Sequence, residues 1–359
     1  MARKTENGTM KAAVLHGPGD LRVEEAAKPR PGPGQVLVEV RASAVCNSDI
    51  GRIARADVAK LPLILGHEFC GVVAETGAGV HVARGRRVAV YPLLWCGTCG
   101  SCLRQIHECC EAYSYHGSRT NGGLAEFVVT RTANLVVLPD EVSDEEGALT
   151  EVAAVALHAI NRAGPVRGEA VVVIGAGTIG LLAAQIARAR GAGTVAILDI
   201  AQEKIEAARR LGFSHASRAD SPSCAGEVRE ACGGAQPGVV VEAAGAPASY
   251  DLAIDLAGSE ARVVFLGNIT GDLALPRERV SSILRRQLHI MGTWNSSLVR
   301  PENEWSAVHG MIARKEIAVQ PLISRRLDLE GLPEAIRPII AGERPFEKMV
   351  VRLGGPRQG

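Results

Sequence analysis

Four cysteines, Cys96, Cys99, Cys102 and Cys110, form a C-x2-C-x2-C-x7-C pattern. Four thiolates at that spacing close a tetrahedral zinc site with no open position, which makes the metal structural. The lobe around them, residues 94–112, has Gly, Thr and Ser between the cysteines and little core of its own, so a metal would order it. Cys109 competes with Cys110 for the fourth place, and spacing favours Cys110. A second constellation is Gly175-Ala176-Gly177-Thr178-Ile179-Gly180, which follows Val171-Val172-Val173-Ile174 and opens an Ala/Leu-rich run. Between a buried strand and a helix, this pattern predicts a dinucleotide pyrophosphate site. Gly175 allows the tight turn, Gly177 lets backbone approach the phosphates, and Gly180 lets helix and strand pack closely. The helix start at Thr178 and Ile179 offers free N–H groups to the phosphates. Asp199, nineteen residues beyond Gly180, is placed to accept the adenosine ribose hydroxyls and to repel a 2′-phosphate, which favours NAD over NADP. Lys204, one helical turn further, is either a ribose contact or a solvated helix lysine. Leu266, in a later predicted strand, completes the cofactor set.

These groups need a frame. Residues 10–155 show short apolar runs broken by Gly and Pro, at 10–15, 35–40, 71–75, 87–91, 127–130 and 135–138. Short strands with frequent turn signals predict a compact β-rich domain, preceded by a disordered leader over residues 1–9. Near Glu146 the texture changes. Helical patterns at 147–163, 178–190, 202–211 and 249–256 alternate with strands at 170–174, 194–199, 238–242 and 261–267. That alternation predicts βαβ units on a parallel sheet. From about residue 300 the chain returns to mixed helix and strand and rejoins the first domain. The expected division is 1–157 with 299–359 for the β-rich domain, and 158–298 for the nucleotide-binding domain.

The chain has 359 residues, 40 Lys+Arg against 39 Asp+Glu, and a net charge of +1. Balanced charge argues against a nucleic-acid scaffold or a polybasic membrane binder, and no apolar run is long enough to span a bilayer. The polar N-terminus carries no secretory signal, so the nine cysteines imply a reducing, cytoplasmic setting and thiolate ligands rather than disulfides. The basic residues are 33 Arg and 7 Lys, a bias typical of a GC-rich genome.

Cys46-Asn47-Ser48-Asp49 and Gly66-His67-Glu68 are, taken alone, more often core residues than ligands. Together with the four-cysteine lobe, Gly122-Gly123-Leu124-Ala125-Glu126, the glycine loop and Gly292-Thr293-Trp294-Asn295, they occur in a familiar order. The chain resembles the zinc-containing alcohol dehydrogenases of the medium-chain type over about residues 10–353, and within them the polyol and sugar-alcohol branch. The resemblance implies a GroES-like β-rich catalytic domain joined to a Rossmann doubly wound parallel sheet. It also implies NAD and two zinc ions per chain, and a homodimer or homotetramer. By position, Cys46, His67 and Glu68 would ligate a catalytic zinc, with Glu151 ligating directly or through water. Val152 replaces the usual Pro after that Glu. Ser48 would accept the hydroxyl proton, Asp49 would hold the second nitrogen of His67, and Gly51 stands where liver-type members carry a relay His.

Arg119 and Trp294 are the expected substrate-side residues, Arg119 as the partner of a substrate phosphate and Trp294 beside a sugar face. Glu126 and Glu304 keep open an aminosugar or aminocyclitol of antibiotic assembly, and threonine is a further rival substrate. The reading from another class is a non-catalytic zinc- and NAD-binding sensor, against which the complete Cys46, His67, Glu68 and Ser48 set argues.

Overall fold

The computed structural model describes residues 8–354 and divides into two compact units. The first comprises Met1–Glu151, Trp305–Ala313 and Val319–Gly359, and the second Val152–Glu304 with Arg314–Ala318. Of the expected leader, residues 1–7 lie outside the described residues, and Thr9 already pairs with Ala27 in the first strand, Thr9–Gly17.

In the first unit a seven-stranded sheet runs in the order Leu135–Val137, Arg87–Val90, Glu68–Thr76, Gln35–Val45, Met349–Arg352, Arg325–Leu327, with Phe127–Arg131 also pairing Gln35–Val45. The long central strand alternates Val36, Val38 and Val40 into a core shared with Phe69, Val88, Leu124, Met349 and Val351. It runs to Val45 rather than stopping at 40, because two register shifts, at Leu37/Val38 and Val40/Ala42, let it bend and keep pairing. The tail thus completes the first unit's sheet through Met349–Arg352.

The second unit carries a six-stranded parallel sheet in the order His215–Arg218, Thr194–Asp199, Ala170–Ile174, Val239–Glu242, Arg262–Phe265, His289–Gly292. Numbered along the chain this is 3-2-1-4-5-6, the Rossmann order, with its crevice at the switch point beside Ala170–Ile174. The inner strands are buried on both faces, as their unbroken Val and Ile runs require. The edge strand HASR and the exposed helix Arg277–Arg286 carry no such run, and sequence reading missed them. The predicted helix 147–163 is two helices, Asp144–Ala148 and Thr150–Ala163. The first starts early because Ser143 and Glu146 form a capping box, Glu146 N donating to Ser143 Oγ and Ser143 N to Glu146 Oε2. No helix among the described residues is long and apolar enough to cross a membrane.

Candidate functional site

Strand register assembles the first cluster. The central strand ends one residue before Cys46, where Ala44 faces Glu68 on one neighbour and Val45 faces Met349 on the other. Cys46, Glu68 and Lys348 therefore meet at one end of the sheet. Gly66 turns the chain into His67 at φ +93, and a Cβ there would fall 2.8 Å from the Leu124 amide nitrogen, so the turn admits only glycine. One donor atom each from Cys46, His67 and Glu68 lies within 4.8 Å of the others.

A thiolate, an imidazole and a carboxylate form a donor set that suits zinc and leaves a fourth position for substrate. The electrostatics ask for a cation there. Burial opposes charge on His67, yet Asp49 and Cys46 hold its pKa well above the ordinary value. A bound dication would satisfy the same demand. His67 Nδ1 stands 3.2 Å from Asp49 Oδ1, close enough for an ion pair though off the line of a hydrogen bond. Asp49 is fully buried and accepts the Cys46 amide at 3.1 Å on Oδ2 and Arg52 Nη1 at 2.9 Å on Oδ1. Burial pushes its pKa up, but His67, Arg52 and that amide bring it below the usual carboxylate value.

Glu151 stands outside the three-donor group but in the same buried neighbourhood. Burial, reinforced by the charge of Glu68 and opposed by His67 and Lys348, raises its pKa to about 7. Its Oε1 accepts the Tyr115 hydroxyl at 3.2 Å, and the Tyr115 ring lies 5.8 Å from that of His67.

Cys96, Cys99, Cys102 and Cys110 form the second cluster, their sulfurs again within 4.8 Å of one another. Two of the sulfur pairs, Cys96–Cys102 and Cys99–Cys110, are 3.9 Å apart. A tetrahedron with zinc–sulfur bonds near 2.3 Å has an edge of about 3.8 Å, so the cage fits the ion. Amide hydrogens already point at the sulfurs: Thr98 N and Cys99 N each lie 3.4 Å from Cys96 Sγ, and Cys96 N lies 3.2 Å from Cys110 Sγ. The Thr98 and Cys99 amides hold Cys96 down at about 6, while burial pushes Cys102 up to about 12. Cys109 is exposed and outside the cage. Cys70 and Cys224 are buried elsewhere, the former donating to the Asp144 carbonyl at 3.0 Å.

In the second unit the glycine loop leaves strand Ala170–Ile174 and enters helix Thr178–Ala189. A Cβ on Gly180 would fall 1.8 Å from the Gly175 carbonyl oxygen, whereas one on Gly177 would meet nothing within 4 Å. Gly180 is thus the packing glycine, and the space beside Gly177 is open. Asp199 ends the next strand, accepting Ala176 N at 2.7 Å and Ala201 N at 2.9 Å, so its carboxylate braces the loop itself. Lys204 sits half-buried in the first turn of the following helix, and Leu266 N donates to the Glu242 carbonyl.

Of the substrate candidates, Arg119 is exposed and lies over the Tyr113 ring at 4.0 Å, and Tyr113 packs edge-on to Tyr115. That row of side chains joins Arg119 to the Cys46 cluster. Trp294, in the second unit, is 51% exposed. Glu304 is not available to an amine: it is fully buried and accepts from Asn161 Nδ2 and the Ser297 amide, beside His158 Nδ1 at 3.0 Å. The Glu126 carboxylate is committed to the Lys11 amide at 2.8 Å.

Three residues of the first cluster escaped sequence reading. Lys348 is buried and donates to both Glu68 oxygens, at 2.7 and 2.5 Å. Burial works against its charge, but Glu68, Cys46 and Glu151 keep its pKa above the ordinary value. A lone lysine just before the apolar Met349-Val350-Val351 was the available signal. Tyr115 had none. Arg52 was legible, standing four residues after Ser48 and three after Asp49 on a helix.

The alcohol dehydrogenase GroES-like domain profile matches residues 32–140, and that of the zinc-binding dehydrogenase matches residues 178–314. Galactitol 1-phosphate 5-dehydrogenase from Escherichia coli (strain K12) is 34% identical over 348 residues, covering 95% of this chain and 100% of that protein. A crystal structure of galactitol-1-phosphate dehydrogenase from Escherichia coli matches with a TM-score of 0.89 over 96% of this chain and 100% of that one. Sorbitol dehydrogenase from Bos taurus is 33% identical over 351 residues, covering 93% of each. A structure from Sinorhizobium meliloti 1021, described as a zinc-binding dehydrogenase bound to NADP, is 30% identical with a TM-score of 0.84, covering 96% of this chain and 99% of that one.

Proposed function

The chain belongs to the zinc-containing medium-chain alcohol dehydrogenases, in their polyol and sugar-alcohol branch, and from that premise we propose that it oxidises a secondary hydroxyl of a sugar, polyol or sugar phosphate to a ketone with NAD. The observation that carries the reading is the Cys46, His67 and Glu68 donor group with Ser48 two residues away. When bound, zinc acidifies the substrate hydroxyl and the nicotinamide accepts the hydride. The chain's own residues do the rest. Cys46, His67 and Glu68 hold the metal, Glu151 standing in reserve beside them. Asp49 orients His67, and Lys348 keeps Glu68 in place. Ser48 Oγ accepts the substrate's hydroxyl proton as its own hydrogen passes outward to solvent water. Gly175, Gly177 and Gly180 shape the pyrophosphate cradle, with Thr178 and Ile179 at its helix start. Asp199 disfavours a 2′-phosphate, which makes NAD the preferred nucleotide, and Lys204 and Leu266 flank it.

A second zinc belongs in the Cys96, Cys99, Cys102 and Cys110 cage, so metal analysis should return two per chain. NADH formation with a panel of polyols and sugar phosphates tests the activity, and full zinc loading without turnover on any alcohol would overturn it. A kcat/KM higher with NADP than with NAD would reject the role given to Asp199. Arg119 supports a phosphorylated substrate through its row of tyrosines to the site. Replacing Arg119 with alanine should raise KM about tenfold for phosphorylated alcohols only. The exposed edge strand His289–Gly292 favours assembly as a homodimer or homotetramer, which light scattering would read.

A further inference from the structure

The helix Asn47–Arg55 starts at Cys46 and carries Ser48, Asp49 and Arg52 within its first two turns. One guanidinium nitrogen, Arg52 Nη1, donates to Ser48 Oγ at 2.8 Å and to Asp49 Oδ1 at 2.9 Å. The next arginine covers the neighbouring position. A Cβ on Gly51 would lie 3.0 Å from Arg55 Nη2, so the bare backbone of Gly51 lies under a second guanidinium. The groups beside Ser48 and Gly51 on this helix are therefore the fixed positive charges of Arg52 and Arg55.

A hydroxyl oxygen has two lone pairs and one hydrogen, and a guanidinium keeps its protons at any physiological pH. Arg52 fills one lone pair of Ser48 permanently and never competes for the proton of a substrate. The other lone pair stays free for an incoming hydroxyl donor, and the Ser48 rotor is held while it waits. Asp49 accepts from the same guanidinium nitrogen, so Arg52 cannot swing away without leaving a buried carboxylate short of a partner. We propose that Arg52 is a positioning residue that locks Ser48 so that its free lone pair takes the substrate's hydroxyl proton while Ser48's own hydrogen passes to solvent water, a fixed cation standing where a titrating relay would otherwise be. The proposal rests on the reading of Ser48 as proton acceptor.

A double-mutant cycle separates the two ideas. Ser48→Ala, Arg52→Gln and the double variant are compared with the parent enzyme for kcat, KM, NAD affinity and zinc content. Arg52→Gln should lower kcat about 10- to 100-fold, leaving zinc content and NAD affinity unchanged. In the Ser48→Ala background the same substitution should change kcat by less than about threefold. Arg52→Lys, and methylguanidinium added to Arg52→Ala, should each restore part of the loss. An equal kcat loss in both backgrounds, or loss of a zinc ion from Arg52→Gln, would overturn the proposal by placing Arg52 behind Asp49 instead. Parental kcat in Ser48→Ala would instead sink the proton-acceptor reading, and the proposal with it.

Discussion

The two clusters of the first unit that could hold a metal ion are built on opposite plans. The lobe takes four identical donors from fifteen consecutive residues, Cys96 to Cys110, and local turns with amide-to-sulfur hydrogen bonds shape it. The other cluster takes three different donors from a strand end, a glycine turn and a neighbouring strand. Buried charges crowd around it: Asp49, Glu151 and Lys348 are all under 10% exposed. A cage of four thiolates has no vacancy and no acid–base group, and can only hold structure. A mixed set in a nest of opposed charges is costly to bury, and such cost is characteristic of a reacting centre.

The sharpest break between the two comes from removing one cysteine in each. Cys46→Ser should lower kcat/KM by at least about 1,000-fold, about 4 kcal/mol of transition-state stabilisation, while one zinc remains bound in the lobe. Retention of both zinc ions in that variant would refute the assignment. Next in size is the buried pair behind the site. Lys348→Met leaves the Glu68 carboxylate buried without its cation and should cost about 3–5 kcal/mol in denaturant unfolding, most of it recovered in Glu68→Gln/Lys348→Met.

Acid should weaken the unit that holds both clusters. Burial lowers His116 and His309 to about 4, and both are 2% exposed or less. Each is therefore neutral when folded, while the unfolded chain takes up a proton below its ordinary value near 6.5. Their contribution is complete above pH 6.5 and is lost as pH falls toward 4, up to about 3 kcal/mol per histidine. Denaturant midpoints at pH 7 and pH 5 read the slope, and His116→Gln should flatten it. The smallest catalytic effect belongs to the lobe. Cys99→Ser should release one zinc and open residues 96–110 to protease, with kcat of the remaining enzyme within about threefold of the parent.

Much of the second unit was legible before any coordinates, because strands buried on both faces write themselves as Val and Ile runs, as at Ala170–Ile174. The edge strand His215–Arg218 and the helix Arg277–Arg286 were not, since exposed elements carry no such mark. The cage was legible for a similar reason: its geometry is local. Glu304 shows the opposite case, a carboxylate free to bind an amine on paper and consumed by Asn161 and Ser297 in the fold.

By itself the sequence determined that this chain carries a four-thiolate lobe, a nucleotide-type glycine loop and the residue types of a zinc dehydrogenase. Each is encoded in spacing over a few residues. Only the tertiary structure decided that Lys348, 280 positions away, stands against Glu68 and that Tyr115 reaches Glu151. Strand register sets those meetings, and register is a property of the whole sheet: Val45 must face Met349 before Lys348 can touch the carboxylate at all.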